Sequence, residues 1–134
     1  MLVIDDEPDV RRSVAGILAD HGYDVHTALD DEHALRSVVA LSPDLILLDI
    51  RLPDPTFSQR FADEYRRRVP PERQAPIVVL SASREIADYA ERLGAVGHIA
   101  KPFDADDLVR VVRSCFVLAD ADPPAHPVNG EAMA

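Results

Sequence analysis

Short apolar runs alternate with longer amphipathic stretches along the chain. Leu2–Ile4 reads as a strand, and Pro8 suits the first position of a helix, where its missing N–H costs nothing. Val10, Val14, Ile17 and Leu18 share one face of that helix, and His21-Gly22 ends it. Val25–Ala28 reads as a second strand. Asp31–Leu41 reads as a second helix with Asp30 or Asp31 as N-cap, broken by Ser42-Pro43. Leu45–Leu48 is a continuous apolar run ending in Asp49, the pattern of a central parallel strand covered on both faces.

Beyond it, Pro53 and Pro55 mark a loop. Phe57–Val69 predicts a third helix, with Phe57, Phe61 and Tyr65 on one face and Pro70-Pro71 as a stop. Ile77–Leu80 predicts a fourth strand that ends in Ser81. Arg84–Leu93 predicts a fourth helix closed by Gly94. Val96–Ala100 predicts a fifth strand ending in Lys101-Pro102. Asp104–Leu118 predicts a fifth helix, apolar along Leu108, Val111, Val112, Cys115 and Phe116 and capped by Asp104 or Asp106. From Asp120 the stretch "DADPPAHPVNGEAMA" has no periodicity. Residues 1–118 therefore read as one domain, and 119–134 as a flexible tail or linker.

Five strand–helix units in strict alternation imply a doubly wound parallel α/β sheet with helices on both faces. Such sheets place their ligand site outside the carboxyl ends of the strands. That rule gathers Asp5, Asp6, Asp49, Ser81 and Lys101 at one edge.

Composition narrows the function. A length of 134 residues suits a single domain, and a formal net charge of -10 argues against direct nucleic-acid binding, which needs a basic face. The single cysteine, Cys115, excludes an internal disulfide and reads as a buried, inert thiol. No run approaches the ~20 apolar residues of a membrane span, and no leader pattern precedes the first strand. The expectation is a cytoplasmic protein away from the membrane.

The stretch "MLVIDDEP" ends an apolar run in three acids. Two like charges about 4 Å apart repel by roughly 4 kcal/mol at an effective dielectric of 20. A capping cluster on the first helix explains one of these acids, or two, but not their meeting with Asp49 and Lys101. A divalent cation does, and a few carboxylates around a water-retaining site suit Mg²⁺. Asp49 can serve both as metal ligand and as nucleophile, forming an aspartyl phosphate. Lys101 offers a compact positive charge and Ser81 a hydrogen bond to further phosphoryl oxygens. His21, His26, His33 and His126 share no metal-ligand spacing. "EYRRR", Glu64–Arg68, reads as a solvated helix face.

Four stretches carry a family resemblance: "VIDDEPDVR", "PDLILLDIRLPD", "VVLSAS" and "LGAVGHIAKPF". In this order, each at a predicted strand end, they resemble the receiver domain of two-component response regulators, CheY-like in type. The resemblance implies a flavodoxin-like fold with five parallel strands in the order 2-1-3-4-5 and five helices. It implies that Asp49 accepts a phosphoryl group from a histidine kinase or phosphotransfer protein. Asp6 would bind Mg²⁺ directly, Asp5 largely through water, and the backbone carbonyl of Arg51 would be a further ligand. Lys101 would contact the phosphoryl group, Ser81 would move toward it, and the Lys101-Pro102 bond would be cis. The kinase would dock on the first helix near Arg11, Ala15 and Ala19.

Some positions depart from the family pattern. "DPTF" places Phe57 where the family commonly has glycine. His98 stands where the family has its switch aromatic. Arg51 and Ser83 occupy the two positions that tune phosphate loss, and neither is an acid or amide, so a slow loss is expected.

The resulting expectation is a signalling switch rather than an enzyme, acting through a downstream protein target. Nothing after Leu118 reads as a DNA-binding module. Three alternatives are carried: a receiver fragment of a larger regulator, a degenerate receiver serving as an unphosphorylated interaction module, and a haloacid dehalogenase-type phosphatase. Arg51 counts against the phosphatase, which wants a second Asp at that place. A homodimer through the fourth and fifth helices is left open.

Overall fold

The computed structural model describes residues 1–50 and 56–121. The Pro53–Pro55 loop, the Arg51 carbonyl and the tail from 122 lie outside the described residues. The five strands are β1 (Leu2–Ile4), β2 (His26–Ala28), β3 (Ile46–Asp49), β4 (Ile77–Ser81) and β5 (Gly97–Ala100). They form one sheet in the order β2-β1-β3-β4-β5, with every pairing parallel. The alternation implied the doubly wound parallel sheet, and the family resemblance implied this flavodoxin-like strand order.

Side-chain alternation along the strands divides the core in two. Leu2, Ile4, Ile46, Leu48, Ile77 and Val79 face α2 (Asp31–Leu41), α3 (Thr56–Arg68) and α4 (Ile86–Leu93), meeting Val38, Phe61, Tyr65 and Leu93. Val3, Leu47, Val78, Leu80 and Ile99 face α1 (Pro8–Asp20) and α5 (Ala105–Ala121), meeting Val14, Leu18, Leu108, Val112 and Cys115. Period-two strands thus feed two helical layers. β3 is buried along its whole length, as a central strand must be.

The helix ends follow local chemistry. Pro8 opens α1, and Gly22 takes φ +90° beyond its C-cap His21. The Asp30 carboxylate accepts the His33 N–H at 2.7 Å and caps α2, while Ser42 at φ +46° closes it ahead of Pro43. Asp104 caps α5 by accepting the Asp107 N–H at 2.8 Å. At the end of α3, Gln74 donates to the carbonyls of Val69 (2.7 Å) and Arg66 (3.2 Å), and the Tyr65 hydroxyl accepts the Ala75 N–H at 2.7 Å. Phe61 and Tyr65 stack with ring centroids 6.0 Å apart, inside the core.

Several boundaries differ from expectation. β2 and β5 each begin one residue later, α3 spans Thr56–Arg68 rather than Phe57–Val69, and α5 runs on to Ala121. α4 begins at Ile86 instead of Arg84, because two serine hydroxyls hold the preceding turns. Ser81 Oγ accepts the Ser83 N–H and Ser83 Oγ accepts the Glu85 N–H, both at 3.0 Å. These local bonds offer the backbone an alternative to the helix.

"EYRRR" is also more than a solvated face. Arg67 and Arg68 do pair with Glu64 on the surface. Arg66 instead reaches α4, donating to the Leu93 carbonyl and, at 3.2 Å, to the Gly94 carbonyl. Gly94 sits at φ +73°, and a Cβ there would lie 3.1 Å from the Arg66 guanidinium.

Candidate functional site

β1, β3, β4 and β5 all release their chains at one edge, and that edge holds the charged cluster. Asp5 follows β1, Asp49 ends β3, Ser81 ends β4, and Lys101 follows β5. Parallel register sets this convergence, since Asp49 lies opposite Leu80 and Ser81 opposite Ala100. The Lys101 N–H then donates to the Ser81 carbonyl at 2.8 Å, and the Lys101-Pro102 bond is cis.

Asp5, Asp6 and Asp49 each offer a carboxylate oxygen, and these oxygens lie within 4.8 Å of one another. Asp5 and Asp49 are buried, and Asp6 is exposed. Lys101 Nζ donates to Asp49 Oδ1 at 2.7 Å and to Asp5 Oδ2 at 3.4 Å, with Glu7 4.0 Å away. Asp5 is further held on both sides. Its Oδ1 accepts the Glu7 N–H at 2.9 Å, and its backbone carbonyl accepts from the Arg11 guanidinium at 2.8 Å. Capping therefore does not account for Asp5: the N-cap of α1 is Glu7, no side chain makes the cap hydrogen bond, and the Asp5 carboxylate holds the turn ahead of the helix.

The electrostatics combine burial with crowded charge. Burial pushes the Asp49 carboxyl above its ordinary range; the Lys101 hydrogen bond pulls it back, and the Asp5 and Asp6 charges push it up again. For Lys101, burial acts against the ammonium, but the Asp49 hydrogen bond and the Asp49 and Asp5 charges win, and its pKa rises. The two groups are raised for different reasons: Asp49 chiefly by burial, with the neighbouring carboxylates adding to it, and Lys101 by its two acid partners. An all-oxygen donor set with excess negative charge fits a hard divalent cation of the Mg²⁺ type.

The cluster opens into a cleft of about 320 Å³ lined by Asp6, Glu7, Asp49, Ile50, Ser81, Ala82 and Lys101. Ser81 is buried, and its hydroxyl sits in the turn that leaves β4 rather than at a helix cap. His98 stands apart, exposed on β5 opposite Val79 and outside this lining. Among the α1 positions, Arg11 turns its guanidinium inward to Asp5, whereas Ala19 is exposed. Cys115 is buried, which pushes its thiol up and fits an inert role. A second hollow, lined by Met1, Tyr23, His26 and Phe116 among others, holds none of these residues.

One buried polar residue near the site escaped the sequence reading. The Ser58 hydroxyl donates to the Asp49 carbonyl at 3.0 Å. A polar residue one turn before Phe61, on the buried side of an amphipathic helix, was the available signal.

Comparison with known proteins agrees with this geometry. Residues 1–113 match the response regulator receiver domain, and the chain belongs to that family. The nitrogen assimilation regulatory protein NtrX of Azorhizobium caulinodans is 41% identical over 111 residues, covering 81% of this chain and 24% of that protein. The DNA-binding dual master transcriptional regulator RpaA of Synechocystis is 34% identical over 130 residues, covering 93% of this chain and 52% of that protein. The crystal structure of the NtrX receiver domain from Brucella abortus superposes with a TM-score of 0.75 at 38% identity, over 87% of this chain and 97% of that one. Chemotaxis protein CheY4 of Vibrio cholerae gives 0.74 at 28% identity, over 85% and 95%. The chain thus spans from about a quarter to about half the length of these two curated relatives. Receiver domains serve two-component signal transduction, interact with histidine kinases and bind Mg²⁺ at an acidic cluster of this kind. No described helix is long and apolar enough to cross a membrane.

Proposed function

We propose that Asp49 is the phosphoacceptor of this receiver, charged by a histidine kinase or a phosphotransfer protein. The observation that carries this reading is the Lys101 ammonium 2.7 Å from Asp49 Oδ1, beside two further carboxylates. A carboxylate oxygen of Asp49 attacks phosphorus, the O–P bond forms, and the bond to the donor's imidazole nitrogen breaks. Lys101 is placed to follow the charge from the carboxylate to the incoming phosphoryl oxygens. Ser81 faces the same cleft and donates to another of those oxygens. Asp5, Asp6 and Asp49 are the residues that would hold Mg²⁺, with the Arg51 carbonyl as a further ligand by family resemblance. The metal, when bound, neutralises charge on the phosphoryl oxygens.

The receiver extends through the end of α5 at Ala121 rather than stopping at Leu118, and the tail or linker is assigned to 122–134. The curated relatives NtrX and RpaA are named as regulators and are longer than this chain. Output from the receiver itself runs through a protein target, since a net charge of -10 disfavours direct contact with nucleic acid. His98 is carried as a switch residue by its place in the family pattern.

The test is incubation with acetyl phosphate and Mg²⁺, read by intact mass, with Asp49→Ala alongside. One added phosphoryl group, lost in the variant, supports the reading. No adduct on the wild type, with beryllofluoride also failing to bind, overturns it in favour of an unphosphorylated interaction module.

A further inference from the structure

Among the described residues, four polar or charged residues are buried: Asp5, Asp49, Ser58 and Ser81. Three have roles in the proposed chemistry, and Ser58 has none. It is 1% exposed, in the first turns of α3, and its hydroxyl leaves its own helix to reach the end of β3.

The bond it makes closes a clamp on one peptide unit. The peptide joining Asp49 to Ile50 has its N–H on the Leu80 carbonyl at 2.9 Å. Its carbonyl, on the other side, accepts from Ser58 at 3.0 Å. Both polar groups of that peptide are thereby fixed, one by β4 and one by α3. Holding this peptide anchors the C-terminal side of the Asp49 Cα, from which the carboxylate projects.

We propose that Ser58 is a positioning residue for the acceptor. Its hydroxyl, acting with the Leu80 carbonyl, holds the 49–50 peptide so that the Asp49 carboxylate stays on Lys101 and within reach of Asp5 and Asp6. The proposal rests on the reading of Asp49 as phosphoacceptor and metal ligand. Groups that orient a metal ligand typically affect affinity by about tenfold or more when removed.

The test compares wild type, Ser58→Ala and Ser58→Thr in three measurements. Melting in EDTA reports folding. Calorimetric titration reports Mg²⁺ affinity. The rate of phosphoryl uptake from acetyl phosphate is followed against Mg²⁺ concentration. Ser58→Ala is expected to fold, to bind Mg²⁺ about tenfold more weakly, and to need correspondingly more Mg²⁺ for the same uptake rate. Ser58→Thr, which keeps the hydroxyl, should restore both. A Ser58→Ala protein with a lowered melting point but wild-type Mg²⁺ affinity and uptake would reduce Ser58 to a structural filler and overturn the proposal. So would a Thr variant as impaired as the Ala variant. Should Ser58→Ala not fold, Ser58→Cys keeps a side chain of similar shape with a weaker donor, and the same comparison applies. A wild type that binds Mg²⁺ but takes up no phosphoryl group would refute the acceptor role alone, and the Mg²⁺ titrations would still judge Ser58.

Discussion

Lys101 Nζ lies 2.7 Å from Asp49 Oδ1 and 3.4 Å from Asp5 Oδ2, bridging residues 52 and 96 positions away. All three side chains are largely withdrawn from solvent, Lys101 at 17%, Asp49 at 7% and Asp5 at 0%. Lys101→Met keeps the aliphatic stem and strands two buried carboxylates. It should destabilise the metal-free protein by about 3 kcal/mol, measured by urea unfolding in EDTA. Asp49→Asn in the same background should recover part of the loss. A single variant as stable as wild type would contradict the ion-pair assignment.

The raised Asp49 pKa gives a signed pH dependence. Its ordinary value is 3.8, and burial places the folded value higher. An acid whose folded pKa is raised contributes stability that is complete below the unfolded pKa and lost as the pH rises through the folded one. The difference in unfolding free energy between wild type and Asp49→Asn, without metal, should therefore fall as the pH climbs from below 3.8 and then level off. A difference that grows over that range would mean that the pair with Lys101 outweighs burial.

Mg²⁺ should raise the melting temperature by mass action on the folded state, worth about 2.7 kcal/mol at a hundredfold excess over its dissociation constant. Asp6→Ala should abolish that rise and should stabilise the metal-free protein by removing a repelling carboxylate. Scanning fluorimetry with an extrinsic dye checks both. Equal Mg²⁺ shifts in variant and wild type would remove Asp6 from the metal site.

Gly94→Ala tests the end of α4. At φ +73° a Cβ is strained, and here it would meet the Arg66 guanidinium at 3.1 Å. A loss of about 1–2 kcal/mol is expected. Arg66→Lys should lose less, because it surrenders the two carbonyl contacts without straining the backbone. Chemical denaturation of both variants decides the order.

Phosphate should leave slowly once attached. Ser83, one of the two positions that tune this step in the family, already accepts the Glu85 N–H with its hydroxyl. Arg51, the other, carries no acid or amide to orient a water. A half-life of many minutes after removal of the phosphodonor is expected by intact mass; a half-life under about a minute would contradict it.

The fold was readable wherever burial is symmetrical. Leu45–Leu48 announces a central strand because both faces are covered, and Asp49 stands out as the first polar residue after it. Asp5, Ser81 and Lys101 are found by the same logic at other strand ends. What escaped were contacts that cross between elements. Ser58 looks like a surface serine until the helix is docked, because its partner is a backbone carbonyl and leaves no trace in residue type. Arg66 sits among three arginines, and only the packing of α3 on α4 sends it to Leu93 rather than to Glu64. α4 starts later than the apolar pattern suggests, since Ser81 and Ser83 hold local turns whose bonds compete with the first helical turn.

The placement of Lys101 has a consequence for quality control. Its ammonium comes from just beyond β5, an edge strand late in the chain, whereas Asp5 follows β1, so the two meet only once β1, β3, β4 and β5 have paired. A nascent, clipped or partly unfolded copy lacks the meeting point altogether. Such copies would be chemically silent in a signalling circuit, and the pool of chains able to take up a message would track the pool of intact ones.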